Sequence, residues 1–277
     1  MHQSLNNQYN KAQKLSFMMI MEDKKYIEAF NNTMSLMRKV RKECPWDNAQ
    51  TNETLRTLTI EEIYELSDAI LNNDPQNICK ELGDVLMHVI FYSLIGEEKQ
   101  EFSLIDVMNS LSEKLIRRHP HVFCKDGSIT YEDVEKNWEK IKLQEGNRST
   151  LSGVPDSLPS LVKAYRMQDK AKGVGFDWEK TSDVWNKVQE EIKELQEEVK
   201  KPNNQERIED EFGDVLFSLI NYARFIDVNP DTALEKTNRK FKDRFQYIEQ
   251  KAKQMNKSVS DMTLQEMDIL WNEAKKK

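Results

Sequence analysis

The sequence predicts an all-α protein built from two tandem copies of one helical domain, and three observations predict it. Only 8 Gly and 7 Pro occur in 277 residues, and 32% of residues are charged, a composition suited to long amphipathic helices rather than to sheets. Apolar residues recur at helical spacing over long stretches, as in Phe30, Met34 and Met37 at i, i+4, i+7. One pattern occurs twice. EEIYELSDAI at 61–70 is followed by KELGDVLMHVIFYS at 80–93, and EEIKELQEEV at 190–199 by DEFGDVLFSLINYA at 210–223. The offset of about 130 residues is too long for a solenoid repeat and suits two domains of ordinary size.

Each copy reads as two antiparallel helices joined by a short polar turn. In the second copy the turn falls at 201–204, where Pro202 cannot continue a helix because it lacks the N–H and clashes with the preceding turn. Residues three apart share a helical face, so Glu191/Glu194 form one acidic pair and Glu211/Asp214 another. Glu194 lies eight residues before Pro202 and Glu211 seven after Asn204, so both stand about 10–12 Å up the hairpin. Glu191 and Asp214 match at about 15 Å. Four carboxylates then meet at one level, where they repel unless a cation sits among them. An all-oxygen set selects a hard cation, and Mg²⁺ is the usual choice when a phosphate completes its shell, with Mn²⁺ able to substitute. The first copy repeats the device with Glu62/Glu65 and Glu81/Asp84 around a turn at 72–75, a candidate second metal site. Each copy also holds a mid-helix glycine, Gly83 and Gly213, which predicts close approach of a neighbouring helix.

The bulk properties narrow the function. A net charge of −7 and a pI near 5.4 argue against a nucleic-acid binder, which needs a basic face. Three cysteines, Cys44, Cys79 and Cys124, without CxxC pairing suit a reducing cytosol, so a cytoplasmic location is expected. The longest apolar run, at 85–95, is far short of a membrane span, and no membrane partner is expected.

Taken in order, residues 1–24 read as a disordered extension, 25–145 as the N-terminal domain, 146–160 as a linker and 161–277 as the C-terminal domain. The first domain opens with a helix over 26–43 and a Pro-broken loop, CPWDNAQT, in which Trp46 either plugs the helix ends or walls a pocket. The helix from 52 to 71 directs Leu55, Leu58, Leu66 and Ile70 inward, and its partner spans about 76–95. A helix over 103–119 ends in Arg117, Arg118 and His119, where cations favour a helix C-terminus. His119 and His121 lack a third metal-binding neighbour and read as turn residues. Another helix is expected at 131–144. The linker EGNRSTLSGVPDSLPS precedes a basic helix and GVGFDW at 173–178. A helix over 231–254 directs Leu234, Phe241, Phe245 and Ile248 inward and carries Lys240 and Arg244 on another face. The last helix begins at Thr263 with Glu266 in the capping-box position.

A single EExxE is usually a solvated face. That reading weakens when ExxD follows on an apolar helix at matching height, and again when the arrangement occurs twice. A ferritin-like di-iron site requires Glu-x-x-His on two helices, which neither copy has. CPWDNAQT, the two EExxE…ExxD hairpins, DVMNSLSEKLIRRHPHVF, NWEKIK, GVPDSLPSL and VGFDW, in that order, resemble the MazG family of tandem-domain nucleoside triphosphate pyrophosphohydrolases from about residue 26 onward. The resemblance implies an all-α fold, Mg²⁺ dependence, a homodimer, and cleavage of nucleoside triphosphates (NTP or dNTP) to monophosphate and pyrophosphate, in nucleotide-pool cleaning or stress-related nucleotide regulation. It further implies that Glu191, Glu194, Glu211 and Asp214 hold the metal. By position in the motif, Lys187, Arg207, Lys240, Arg244 and Trp271 contact nucleotide, with Arg207 where a lysine is expected.

In that chemistry Glu190 or Glu194 orients or deprotonates the attacking water, and Lys240 and Arg244 stabilise charge on the leaving pyrophosphate. The C-terminal copy is expected to carry most of the catalysis. Its Arg207 and Lys187 are matched in the N-terminal copy by Asn77 and Leu58, although Lys114 and Arg118 align with Lys240 and Arg244. The competing reading is a non-enzymatic helical scaffold or regulatory nucleotide-binding module.

Overall fold

Helix starts are fixed by local side-chain chemistry. Thr51, Ser103 and Thr263 close capping boxes, and Asp74 and Asn229 accept from backbone N–H groups ahead of a first-turn proline. A computed structural model describes residues 24–123 and 149–276. The chain divides into two compact units, Met1–Ile129 and Thr130–Lys277. Among the described residues every regular element is helical, and no helix is long and apolar enough to cross a membrane.

The first unit contains α1 (Lys24–Glu43), α2 (Pro45–Asn48), α3 (Asn52–Leu71), α4 (Pro75–Glu98), α5 (Leu104–Arg118) and α6 (Pro120–Phe123). α3 and α4 form the first hairpin, and Asn73 takes the left-handed conformation its turn requires (φ 51°). Met37, Leu55, Ile90, Phe91, Leu94, Ile95 and Leu104 make the core, which lies toward the C-terminal half of α4 and away from the turn. Buried Arg41 of α1 reaches both Glu98 carboxylate oxygens (2.8 and 2.7 Å) and the carbonyls of Asp47 and Gln50. That one guanidinium pins the CPWDNAQT loop to the end of α4. Gly96 stands where a Cβ would meet the Phe102 carbonyl at 2.8 Å and its ring at 2.9 Å. Gly96→Ala therefore overpacks the α4–α5 corner, and we expect the first unit to lose about 1–3 kcal/mol, read as a lower thermal midpoint.

The second unit contains α7 (Ser160–Gly173), α8 (Thr181–Val199), α9 (Gln205–Phe225), α10 (Pro230–Gln254), a 3₁₀ turn (Val259–Asp261) and α11 (Leu264–Ala274). α8 and α9 form the second hairpin, again with a left-handed asparagine, Asn203 (φ 55°), in its turn. Val184, Val188, Val215 and Ile220 are buried along it, while Ile248, Ala252, Met262 and Leu270 form a second cluster between α10 and α11. Lys163 and Lys170 of α7 donate to the carbonyls of Asp156 (2.5 Å) and Thr150 (3.3 Å), tying the Pro-rich segment before α7 to that helix.

Several expectations are corrected here. Ile70, Leu234, Phe241 and Phe245 are exposed, and only Ile248 of the α10 set is buried. The sequence reads the helix carrying Glu211 and Asp214 only as apolar; along it Phe212, Leu216 and Leu219 are exposed and Val215 is buried. A Cβ on Gly83 or Gly213 would meet nothing within 4 Å, so among the described residues no helix approaches either glycine closely. Trp46 is 60% exposed and plugs nothing. Lys24, expected in the N-terminal extension, begins α1. The helix expected at 131–144 and residues 1–23 lie outside the described residues.

Candidate metal centres

The antiparallel hairpin sets the geometry. In α8 the apolar stripe Val184, Val188 faces α9, which turns Glu191, one turn on, into the same groove. In α9, Glu211 and Asp214 precede Val215 and Ser218 on the inward face. One carboxylate oxygen from each of Glu191, Glu211 and Asp214 lies within 4.8 Å of the others, and Glu62, Glu81 and Asp84 form an equivalent cluster between α3 and α4. A hard cation held about 2.0–2.6 Å from each oxygen places its ligands no more than about 4–5 Å apart. Both clusters therefore fit one. In the N-terminal cluster Glu81 is 5% exposed, and its Oε2 is buried with no hydrogen-bond partner. Such an oxygen is costly unless a ligand satisfies it.

Charge compensation differs between the clusters. Lys187 Nζ lies 2.8 Å from Glu190 and 2.7 Å from Glu191. Those two hydrogen bonds, Glu190 first, hold its ammonium far above the usual lysine range. In the N-terminal cluster the cation is Lys80, 2.9 Å from Glu81 and 3.8 Å from Asp84. Partial desolvation and then the charges of Asp84, Glu65 and Glu81 raise the Glu62 carboxyl. Partial desolvation, then Glu191 and Glu211, do the same for Glu194.

The structure brings together three of each predicted four carboxylates. Glu194 and Glu65 are exposed and stand outside the 4.8 Å sets, close enough to feel their charge. Glu190 is exposed and bound to Lys187. Arg207 is exposed near the α8–α9 turn, where its charge acts on Glu198. Lys240, Arg244 and Trp271 belong to the α10–α11 pair, with the Arg244 guanidinium 5.4 Å from the Trp271 ring and Phe241 against the same ring. Among the described residues no ion pair joins Lys240 or Arg244 to the α8–α9 carboxylates.

Two features escaped the sequence reading. Lys80 is one. The other is a polar network beneath the N-terminal cluster, where Thr59 Oγ1 contacts the Leu55 carbonyl (2.9 Å), His88 Nδ1 (2.6 Å) and Tyr92 Oη (2.8 Å). All three are satisfied when Thr59 donates to Leu55 and accepts from His88 and Tyr92. Burial lowers the pKa of His88 and favours its neutral form. The C-terminal copy has Val188, Ser218 and Tyr222 at these positions, with Tyr222 against Trp185 (4.8 Å between centroids).

The family model of the MazG nucleotide pyrophosphohydrolase domain matches residues 50–123 and 180–248, so each match contains one hairpin and its carboxylate cluster. The chain belongs to the MazG family. Its two MazG domains resemble those of several curated proteins. The chain is 40% identical over 251 residues to the nucleoside triphosphate pyrophosphohydrolase/pyrophosphatase MazG of Thermotoga maritima, covering 89% of this chain and 95% of that protein. It is 36% identical over 255 residues to the nucleoside triphosphate pyrophosphohydrolase of Escherichia coli K12, covering 90% and 97%. It is 47% identical over 262 residues to the uncharacterized protein YabN of Bacillus subtilis, covering 92% of this chain but only 53% of YabN, so it spans about half that relative's length.

Proposed function

We propose that the chain is a Mg²⁺-dependent hydrolase of nucleoside triphosphates, yielding the nucleoside monophosphate and pyrophosphate, with the C-terminal MazG domain as the main catalyst. The observation that carries the reading is the convergence of Glu191, Glu211 and Asp214 across α8 and α9, with Lys187 at the edge of the set. Relatives covered over nearly their whole length bear the corresponding name.

Glu191, Glu211 and Asp214 would hold the cation. The chemistry such a cation would supply there is polarisation of the phosphoryl group and a lowered pKa for a water it holds. Glu194, held above the usual carboxylate range, and the exposed Glu190 are the candidates to orient that water and accept its proton. Lys187 would exchange its carboxylates for a substrate phosphate oxygen, and Arg207 sits one turn before Glu211 to do the same. Lys240 and Arg244, from α10, would stabilise charge on the leaving pyrophosphate, and Trp271 would stack on the nucleotide. Glu62, Glu81 and Asp84 would form a second metal site. The role we assign is nucleotide-pool cleaning or stress-related nucleotide regulation in the cytoplasm.

A homodimer belongs to this reading. Ile63, Leu82, Leu86, Phe212, Leu216 and Phe241 are all exposed in the single chain, and among the described residues nothing covers Gly83 or Gly213. Exposed apolar side chains repeated along the hairpin of each unit support a partner surface there. Light scattering should give twice the chain mass, and a monomer would count against the dimer. The functional test is calorimetry with a non-hydrolysable nucleoside triphosphate. Binding should require Mg²⁺, whereas a scaffold shows no metal-dependent binding and a regulatory module binds without supporting turnover of ATP.

A further inference from the structure

Between the two domains the lysine at the carboxylate cluster changes helices. In the C-terminal domain it is Lys187 of α8, four residues before Glu191. The matching N-terminal position is Leu58, a half-buried apolar side chain packed against the core. Lys80 of α4 takes the place instead, immediately before Glu81, where the C-terminal domain has Asp210. Each site therefore keeps one ammonium within 3 Å of a buried cluster glutamate, Glu191 or Glu81, but receives it from opposite walls of the hairpin.

We infer that Lys80 is the phosphate-binding cation of the N-terminal site and the counterpart of Lys187 there. The inference rests on the proposed metal-dependent nucleotide chemistry. Lys80 spans Glu81 and Asp84, two of the three carboxylates that would hold the metal, while Glu81 Oε2 stays buried and unpaired. A cation entering the cluster takes over those oxygens, so the ammonium must leave them. Its side chain is 63% exposed and free to swing outward from the same α4 turn. Its nearest new anionic partner is then the triphosphate that completes the metal's shell. Metal and lysine thus compete in the empty site and cooperate in the loaded one. Lys80 also offsets one of the two cations the N-terminal domain lacks relative to Arg207 and Lys187.

The test uses the full chain with Glu191→Gln and Glu211→Gln, which leaves only the N-terminal site, and titrates Mn²⁺ alone and then a non-hydrolysable nucleoside triphosphate at saturating Mn²⁺. Adding Lys80→Gln should tighten Mn²⁺ binding several-fold and weaken nucleotide binding about tenfold or more, the size expected for one charge-assisted contact. Lys80→Arg should restore most of the nucleotide affinity. Nucleotide affinity indifferent to Lys80→Gln, with Mn²⁺ still bound, overturns this inference alone and leaves Lys80 a counterion. Absence of Mn²⁺ binding in the parent double variant overturns the N-terminal metal site and this inference with it.

Discussion

Glu211→Ala and Asp214→Ala should each cut triphosphate hydrolysis by about tenfold or more, leaving only what the N-terminal domain supplies, while the helical circular dichroism is kept. Either substitution removes one of three oxygens that converge across α8 and α9, and a hard cation is lost when its ligand count falls with no replacement at hand. The fold does not depend on these side chains. Glu211 is partly exposed and Asp214 exposed, and the apolar contacts of α9 run through Val215 and Ile220. Like charges repel in the metal-free cluster, so the thermal midpoint of the apo protein should hold or rise, and the stabilisation that Mg²⁺ gives the parent protein should vanish. Activity above about a tenth of the parent, equivalent to about 1.4 kcal/mol of barrier, would contradict the assignment of these two ligands.

Silencing the domains separately should give unequal results. Glu191→Ala with Glu211→Ala removes most hydrolysis, whereas Glu62→Ala with Glu81→Ala leaves most of it. Both domains hold three converging carboxylates, so the metal ligands do not separate them. The cations do. Arg207 and Lys187 have no basic counterpart at Asn77 and Leu58, and Lys80 restores one charge of the two. One missing charge-assisted contact costs about 1.5–3 kcal/mol, or roughly ten- to a hundredfold in binding or rate. Loss of hydrolysis in the second pair with retention in the first reverses the assignment. Equal halves mean that the cation difference decides nothing.

The hairpins were legible because their signals are local. The prolines of the two turns, Pro75 and Pro202, and the capping box at Thr263 each act within a few residues. The acid clusters were legible because helical spacing and distance from the turn together fix a point in space. Spacing alone did not tell which three acids converge. Glu191/Glu194 and Glu211/Asp214 have the same three-residue spacing, yet Glu191, Glu211 and Asp214 converge while Glu194 is exposed to solvent. Lys80 was hidden because a lysine beside a glutamate looks like any solvated pair, and only the burial of Glu81 gives it meaning. The Thr59–His88–Tyr92 network joins positions 29 and 33 residues apart on two helices, beyond any local pattern. Periodicity found the apolar face of α10 but not what covers it, which is why Phe241 and Phe245 were expected inside and stand exposed.

The central claim is that the chain cuts between the α and β phosphates with the aid of the acid-bound cation. Resolving the products of ATP incubated with the protein and Mg²⁺, by ion-exchange chromatography or ³¹P spectroscopy, tests it most directly. The account predicts AMP and pyrophosphate in equal amounts, and neither product when Mg²⁺ is chelated. ADP with inorganic phosphate would contradict it.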